Sequence, residues 1–134
     1  MSGTRPVARL TFARPDVGGA VLERVVGALG ARLDLPLDRL SEAQMVGAAV
    51  ASVAARHAEE GVLRVDLGAD GGALSITVGP LPAGAAQRVL DESALPGVGA
   101  VLERLVDRCE VEAVDGGGER LRLTIGAGAE ATAS

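Results

Sequence analysis

The segment that organises this chain reads SEAQMVGAAVASVAARHAEEG over residues 41–61. Ser41 and Gln44 have the spacing of a capping box, so we predict that a helix begins at Ser41. The helix is expected to run to about Glu60 and to end at Gly61, a residue type that is common directly after helices. Its middle is apolar on most sides, which is typical of a helix buried centrally rather than one lying on a surface.

Hydrophobic periodicity predicts the elements on both sides of this helix. They are a strand over residues 7–12, an amphipathic helix over 17–33, a hairpin over 63–78, a short helix over 85–92, an amphipathic helix over 98–106 and a second hairpin over 109–125. Each strand has one apolar and one polar face, so helices cover the sheet on one side only. The expected fold class is an α/β (α+β) two-layer sandwich with a mixed, mostly antiparallel sheet. We expect residues 1–125 to form a single domain and residues 126–134 to form a disordered tail.

Composition excludes several classes of function. The chain has 134 residues and a net charge of -5, and it contains no Trp and no Tyr. An acidic chain without a basic or aromatic cluster argues against nucleic-acid binding, which depends largely on phosphate neutralisation. One cysteine, Cys109, and one histidine, His57, are too few for a Cys/His zinc site. Cys109 alternates with Val111 on the core side of its strand, so we expect a buried, inert thiol.

Nothing in the sequence predicts export or membrane insertion. Residues 1–6 lack the basic start and apolar run of a secretory signal. The longest nearly apolar stretch, residues 45–55, is about half as long as a bilayer-spanning helix. We therefore expect a cytoplasmic protein with no membrane partner.

The element order resembles that of the GHKL (Bergerat-fold) ATPase superfamily, with its histidine-kinase-like ATPase fold. A long buried helix precedes a hairpin, and Gly97-Val98-Gly99 leads a helix before the last hairpin. In length the chain is similar to the bacterial anti-sigma factor serine kinases of partner-switching circuits, and the resemblance covers residues 7–125. The buried helix of that family usually reads E-x-x-x-N-A-x-x-H, and Ala54 and His57 match its last two positions.

The resemblance places the family's catalytic base at Ala49 and its Mg²⁺ ligand at Val53. In working members, the glutamate activates the hydroxyl to be phosphorylated, and the asparagine chelates the Mg²⁺ that bridges the phosphates of ATP. Alanine cannot accept a proton, and valine cannot coordinate a hard cation that needs oxygen ligands. The chain contains no Asn, so no shift of the alignment restores the ligand.

The family's other nucleotide motifs are mostly absent. Its D-x-G-x-G falls on Gly79, Leu81 and Ala83, so the adenine-binding aspartate and both glycines are lost. Its G-x-G is kept at Gly97 and Gly99, as a vestigial phosphate loop. The lid, residues 80–96, carries no lysine that could reach a phosphate.

These losses predict a non-catalytic regulatory protein that resembles an anti-sigma factor, a pseudokinase in which ATP binding is lost. Its partner is expected to be a sigma factor or an anti-sigma antagonist, and the resemblance is also compatible with a homodimer. No cofactor is expected. Residues 17–33 and the loop after Gly79 are the expected partner-binding surface.

Three alternatives remain open. One is an active serine kinase with a divergent ATP and Mg²⁺ site, in which Glu42, Glu59 or Glu60 replaces the base. A second is a small-ligand binding module that uses the former nucleotide cleft. The residues that would line this cleft are Val53, Val78, Leu81 and Leu95. The third is a two-layer sandwich unrelated to this superfamily.

Two further features have both a structural and a functional interpretation. His57, at the polar end of the buried helix, is either a hydrogen-bonded structural histidine, which we favour, or a pH switch. The charged residues assigned to the polar face of the sheet are Arg9, Arg64, Arg120 and Arg122, opposite Asp66, Glu110, Glu112 and Glu119. They either pair across strands or meet a partner or a second subunit, and the pattern does not separate these roles.

Overall fold

The computed structural model describes residues 5–12, 15–58, 62–70, 72–93 and 108–126. The elements in chain order are β1 (Arg5–Phe12), α1 (Pro15–Arg32), α2 (Leu37–His57), β2 (Leu63–Asp70), β3 (Ala73–Leu81), α3 (Ala85–Ser93), β4 (Arg108–Ala113) and β5 (Glu119–Ile125). The strands form one sheet in the order β1-β2-β3-β5-β4. Every pairing in the described sheet is antiparallel, where the sequence predicted a mixed sheet.

The core lies between the sheet and the helices, as the one-sided strand pattern predicts. Alternate residues of the three central strands are almost fully buried: Leu63, Val65, Leu67, Leu74, Ile76, Val78, Leu121, Leu123 and Ile125. They share one core with the buried residues of α1, α2 and α3. The described part of the chain is therefore a two-layer α+β sandwich with an open sheet.

The long helix α2 begins and ends earlier than the sequence predicts. It starts at Leu37 after Pro36, and the Leu40 N–H donates to the Pro36 carbonyl oxygen at 2.8 Å. The predicted capping box at Ser41 is wrong, because Ser41 lies inside a helix that has already begun at Leu37, and the Gln44 Nε2 atom donates to the Glu23 carbonyl oxygen on α1 at 2.8 Å. The helix ends at His57, and Ala58 is its extended C-cap residue, so Gly61 does not cap it.

Two glycines let α1 and α2 approach each other closely. A Cβ atom on Gly27 would lie 2.5 Å from Gln44 Nε2, and one on Gly30 would collide with Leu40 Cδ1. Glycine costs about 1 kcal/mol relative to alanine inside a helix, so local propensity disfavours both residues. Close packing between the two helices explains their presence.

Strand β4 departs from the predicted burial. Cys109 and Ala113 are exposed, and Val111 is 48% exposed, although all three face the helix side of the sheet. The expectation of a buried Cys109 is wrong because β4 is an edge strand and α3 packs over its neighbour β5. The predicted helix over residues 98–106 lies outside the described residues.

The chain directly after β5 is attached to the start of α2. Arg39 donates from Nε and Nη2 to the Gly126 carbonyl oxygen, at 3.0 and 2.9 Å. Residues 127–134, the rest of the expected tail, lie outside the described part of the chain. Of the described helices, none combines the length and the apolar character that crossing a membrane requires.

Candidate functional site

The two positions at which a base and a metal ligand are expected lie on α2. Ala49 is half-buried, and Val53 is only 6% exposed. Val53 belongs to the same buried core as Ala85, Ala86 and Val89 of α3. The methyl groups of Val53 therefore occupy protein interior at the place where the resemblance puts a metal ligand.

The position assigned to the adenine-binding aspartate lies on the opposite side of the sheet from α2. Gly79 pairs with Arg64 and alternates with the buried, helix-side residue Val78. A Cβ atom on Gly79 would lie 2.8 Å from Arg120 Cγ and 3.1 Å from the Glu119 carbonyl oxygen. A side chain at position 79 would thus point away from α2, and the helix-side residue next to it is apolar.

The described part of the predicted nucleotide cleft is filled by side chains. Val53, Val78 and Leu81 are 6%, 1% and 1% exposed and lie in one core. Leu95 and the vestigial loop at Gly97 and Gly99 lie outside the described residues.

Of the three proposed replacement bases, only Glu42 lies in the described structure, and it is distant from this region. Glu42 lies two helical turns before Ala49 on α2, a rise of about 10 Å. Glu59 and Glu60 lie outside the described residues. Within the described ranges, no group of three or more His, Cys, Asp and Glu side chains is placed to hold a metal ion.

His57 joins the end of α2 to the end of α3. Its Nε2 atom lies 3.0 Å from Glu92 Oε2, and Arg56 Nη2 lies 3.6 Å from Glu92 Oε1. The predicted hydrogen bond of His57 is observed, and its structural role stays a prediction. The partner, Glu92, is 35 residues away along the chain, so local sequence gave no sign of it.

Glu119 was assigned to the polar face of the sheet, and this assignment is wrong. Its Oε1 atom accepts a hydrogen bond from the Ala86 N–H in the first turn of α3, at 3.2 Å. A carboxylate at this end of a helix satisfies a free N–H group and interacts favourably with the helix dipole. Glu119 therefore positions α3 on β5.

The other charged residues of the polar face form cross-strand pairs. Arg9 Nε lies 2.9 Å from Asp66 Oδ1, and Arg9 Nη2 lies 3.5 Å from Asp66 Oδ2. Arg120 and Arg122 both approach Glu112, at 3.6 and 3.8 Å. Arg9 and Arg120 are 55% and 45% exposed, so the pairs that they form each contribute at most about 1 kcal/mol to stability.

A groove of about 210 Å³ lies on the same face. Its lining residues are Arg64, Asp66, Thr77, Gly79, Pro80, Val114 and Arg120. Gly79 has no side chain to fill the space between Arg64 on β2 and Arg120 on β5. Sequence reasoning named both arginines but missed the groove, although a glycine among outward-facing residues of β3 was the available signal.

Arg64 differs from the other arginines of this face. Its side chain is exposed, and it has no hydrogen bond or ion pair with any of the described residues. The residue paired with Arg64 on β3 is Gly79, which has no side chain that could form an ion pair. The nearby Asp66 is paired with Arg9.

Comparison with known proteins adds no relative: the chain matches no protein-family model and no curated protein.

Proposed function

We propose that this chain is a non-catalytic protein-binding regulator on a Bergerat-type scaffold, resembling an anti-sigma factor whose nucleotide site is filled. The observation that carries the proposal is the burial of Val53. The side chain at the expected metal-ligand position is packed into the core with Val78 and Leu81.

The order of the elements supports this scaffold. A strand and two helices precede a hairpin, and a second hairpin closes the described part of the sheet, while the Gly-led helix of the resemblance lies outside the described residues. The helices lie on one face of an open sheet, as the resemblance implies.

The chemistry of phosphoryl transfer argues against the kinase alternative. Such transfer depends on metal ions that neutralise phosphate charge and on a group that positions or deprotonates the nucleophile. Ala49 and Val53 supply neither, and Glu42 is displaced by about two helical turns from Ala49. The small-ligand alternative is also disfavoured, because Val53, Val78 and Leu81 fill the described part of the cleft.

Titration with Mg²⁺ and ATP or ADP, followed by calorimetry and thermal unfolding, tests the loss of nucleotide binding. We expect no heat of binding and no change in Tm at millimolar nucleotide. A site of micromolar affinity would stabilise the fold by about 4 kcal/mol at that concentration, which is readily detected as a rise in Tm. Such a rise, dependent on Mg²⁺, would refute the proposal.

Protein partner binding is tested with purified sigma factors and anti-sigma antagonists from the source organism. We expect one of them to form a complex with the full chain in size-exclusion chromatography. The predicted surface on α1 contains Val21, which is 40% exposed, so Val21→Glu should weaken the complex. Glu23→Gln is the matched control at an exposed position of the same helix. Failure of every sigma factor and antagonist to bind would contradict the regulatory role.

A further inference from the structure

We propose that the groove around Gly79 binds a carboxylate from an acidic segment of a partner protein. This inference rests on the proposed protein-binding function and identifies a second contact surface, on the side of the sheet opposite the helices. The carboxylate would lie between Arg64 and Arg120, above Gly79.

The first support is the charge of this face. The charged side chains described on the outward side of the five strands are Arg9, Arg64, Arg108, Arg120, Arg122, Asp66, Glu110 and Glu112. By strand register Asp70, the last residue of β2, also falls on this face, so the five strands place five positive and four negative charges there, a net of +1, whereas the whole chain carries -5. A surface of this sign on an acidic protein favours an anionic partner and steers its approach.

The second support is the geometry of the groove. Arg64 and Arg120 stand on strands that flank β3, so their Cα atoms are about 10 Å apart, two strand spacings. The absence of a side chain at Gly79 lets the Arg120 stem lie directly over β3, where a Cβ atom would be 2.8 Å from Arg120 Cγ, and Thr77 is also among the lining residues. Guanidinium groups bind carboxylates through short, charge-assisted and often bidentate hydrogen bonds.

The third support is that Arg120 has an ion-pair partner among the described residues and Arg64 has none. Arg120 already approaches Glu112 at 3.6 Å, whereas Arg64 has no polar partner among the described residues. One incoming carboxylate would therefore supply the counter-charge that Arg64 lacks. Pro80 and Val114 give the groove an apolar wall, which suits the methylene groups of a Glu side chain better than a free inorganic ion.

The test uses the ¹⁵N-labelled full chain and a blocked peptide of alternating Gly and Glu, at constant ionic strength. We expect saturable NMR shifts of the Arg64 Nε–H and of the Thr77 and Gly79 amides. The same peptide with Gln in place of Glu should produce none. Arg64→Gln should weaken binding of the Glu peptide by about fivefold or more, because a charge-assisted bond is lost.

Arg88→Gln is the matched control. Arg88 is also an exposed arginine with no polar partner among the described residues, but it lies on α3 in the helix layer. This variant should bind the Glu peptide as the unaltered protein does. Equal binding by the Arg64→Gln protein, or equal shifts with the Gln peptide, would overturn the proposal.

Inorganic phosphate provides a further arm. We expect it to bind more weakly than the Glu peptide, and binding at least as tight as that of the peptide would overturn the assignment to an acidic segment.

The nucleotide titration reports on the helix side of the sheet and the peptide titration on its polar face. Nucleotide binding would therefore refute the proposed function alone, and absence of peptide binding would refute the groove alone.

Discussion

Gly47→Ala should stabilise the protein, because the structure has room for the added methyl group inside α2. Gly47 is buried, and its Cβ would lie 3.5 Å from Ile76 Cδ1, 3.7 Å from Val26 Cγ2 and 3.9 Å from Leu22 Cδ2. These are ordinary van der Waals distances. Alanine is favoured over glycine in a helix interior by about 1 kcal/mol, and a buried methyl adds up to about 0.8 kcal/mol. The free energy of unfolding should therefore rise by about 1–2 kcal/mol.

Gly79→Ala is the matched control, in which the same methyl group meets backbone. Its Cβ would lie 3.1 Å from the Glu119 carbonyl oxygen and 3.3 Å from Arg120 Cα, in addition to 2.8 Å from Arg120 Cγ. Relief requires β3 and β5 to separate locally, since backbone atoms of a paired strand cannot rotate away. We expect the free energy of unfolding to fall by about 1–3 kcal/mol, the usual cost of overpacking.

Urea unfolding followed by circular dichroism measures both changes in the free energy of unfolding. In thermal unfolding, the Tm of Gly47→Ala should rise by about 4–7 °C for a chain of this length. A decrease in stability for Gly47→Ala would refute the packing of α2 against β3 and α1. A neutral Gly79→Ala variant would refute the close approach of β3 and β5 that shapes the groove.

Three further predictions concern the core, the polar face and the thiol. Val53→Asn should lower the free energy of unfolding by about 2–4 kcal/mol in urea titrations, because it buries an amide in an apolar core, and it should not create Mg²⁺ binding. A double-mutant cycle on Arg9 and Asp66 should give a coupling free energy below about 1 kcal/mol, since Arg9 is 55% exposed; a larger value would contradict the exposed geometry. Partial burial, with a smaller effect of the Glu110 carboxylate, raises the pKa of the Cys109 thiol above its ordinary value of 9.0. The unfolded chain loses this proton first, so the contribution to stability is present below pH 9.0 and is lost as the pH rises towards the folded pKa. Iodoacetamide should accordingly alkylate the folded protein more slowly than the urea-unfolded protein at pH 8, and equal rates would contradict the raised pKa.

Much of the fold could be predicted because periodicity is a local property of the chain. Apolar residues at every second position, Leu63, Val65 and Leu67, indicate a strand with one buried face without any knowledge of the rest of the molecule. The same holds for the one-sided sheet and for α3, which was expected over residues 85–92 and is observed at Ala85–Ser93. The residue types at positions 49 and 53 likewise exclude a proton acceptor and a metal ligand there, whatever the fold.

Tertiary structure determined the features that depend on which distant residues meet. Gln44 lies inside α2, which begins at Leu37, and its amide donates to the Glu23 carbonyl oxygen on α1. Glu119 faces the helices because it alternates in step with Leu121 and Leu123, but its acceptance of the Ala86 N–H depends on where α3 packs. Alternation placed Cys109 on the correct face, but only the position of β4 at the sheet edge and of α3 over β5 left it exposed. The groove arises in the same way, from a glycine on one strand and arginines on two others. Such contacts join residues far apart in the chain, and local patterns do not encode them.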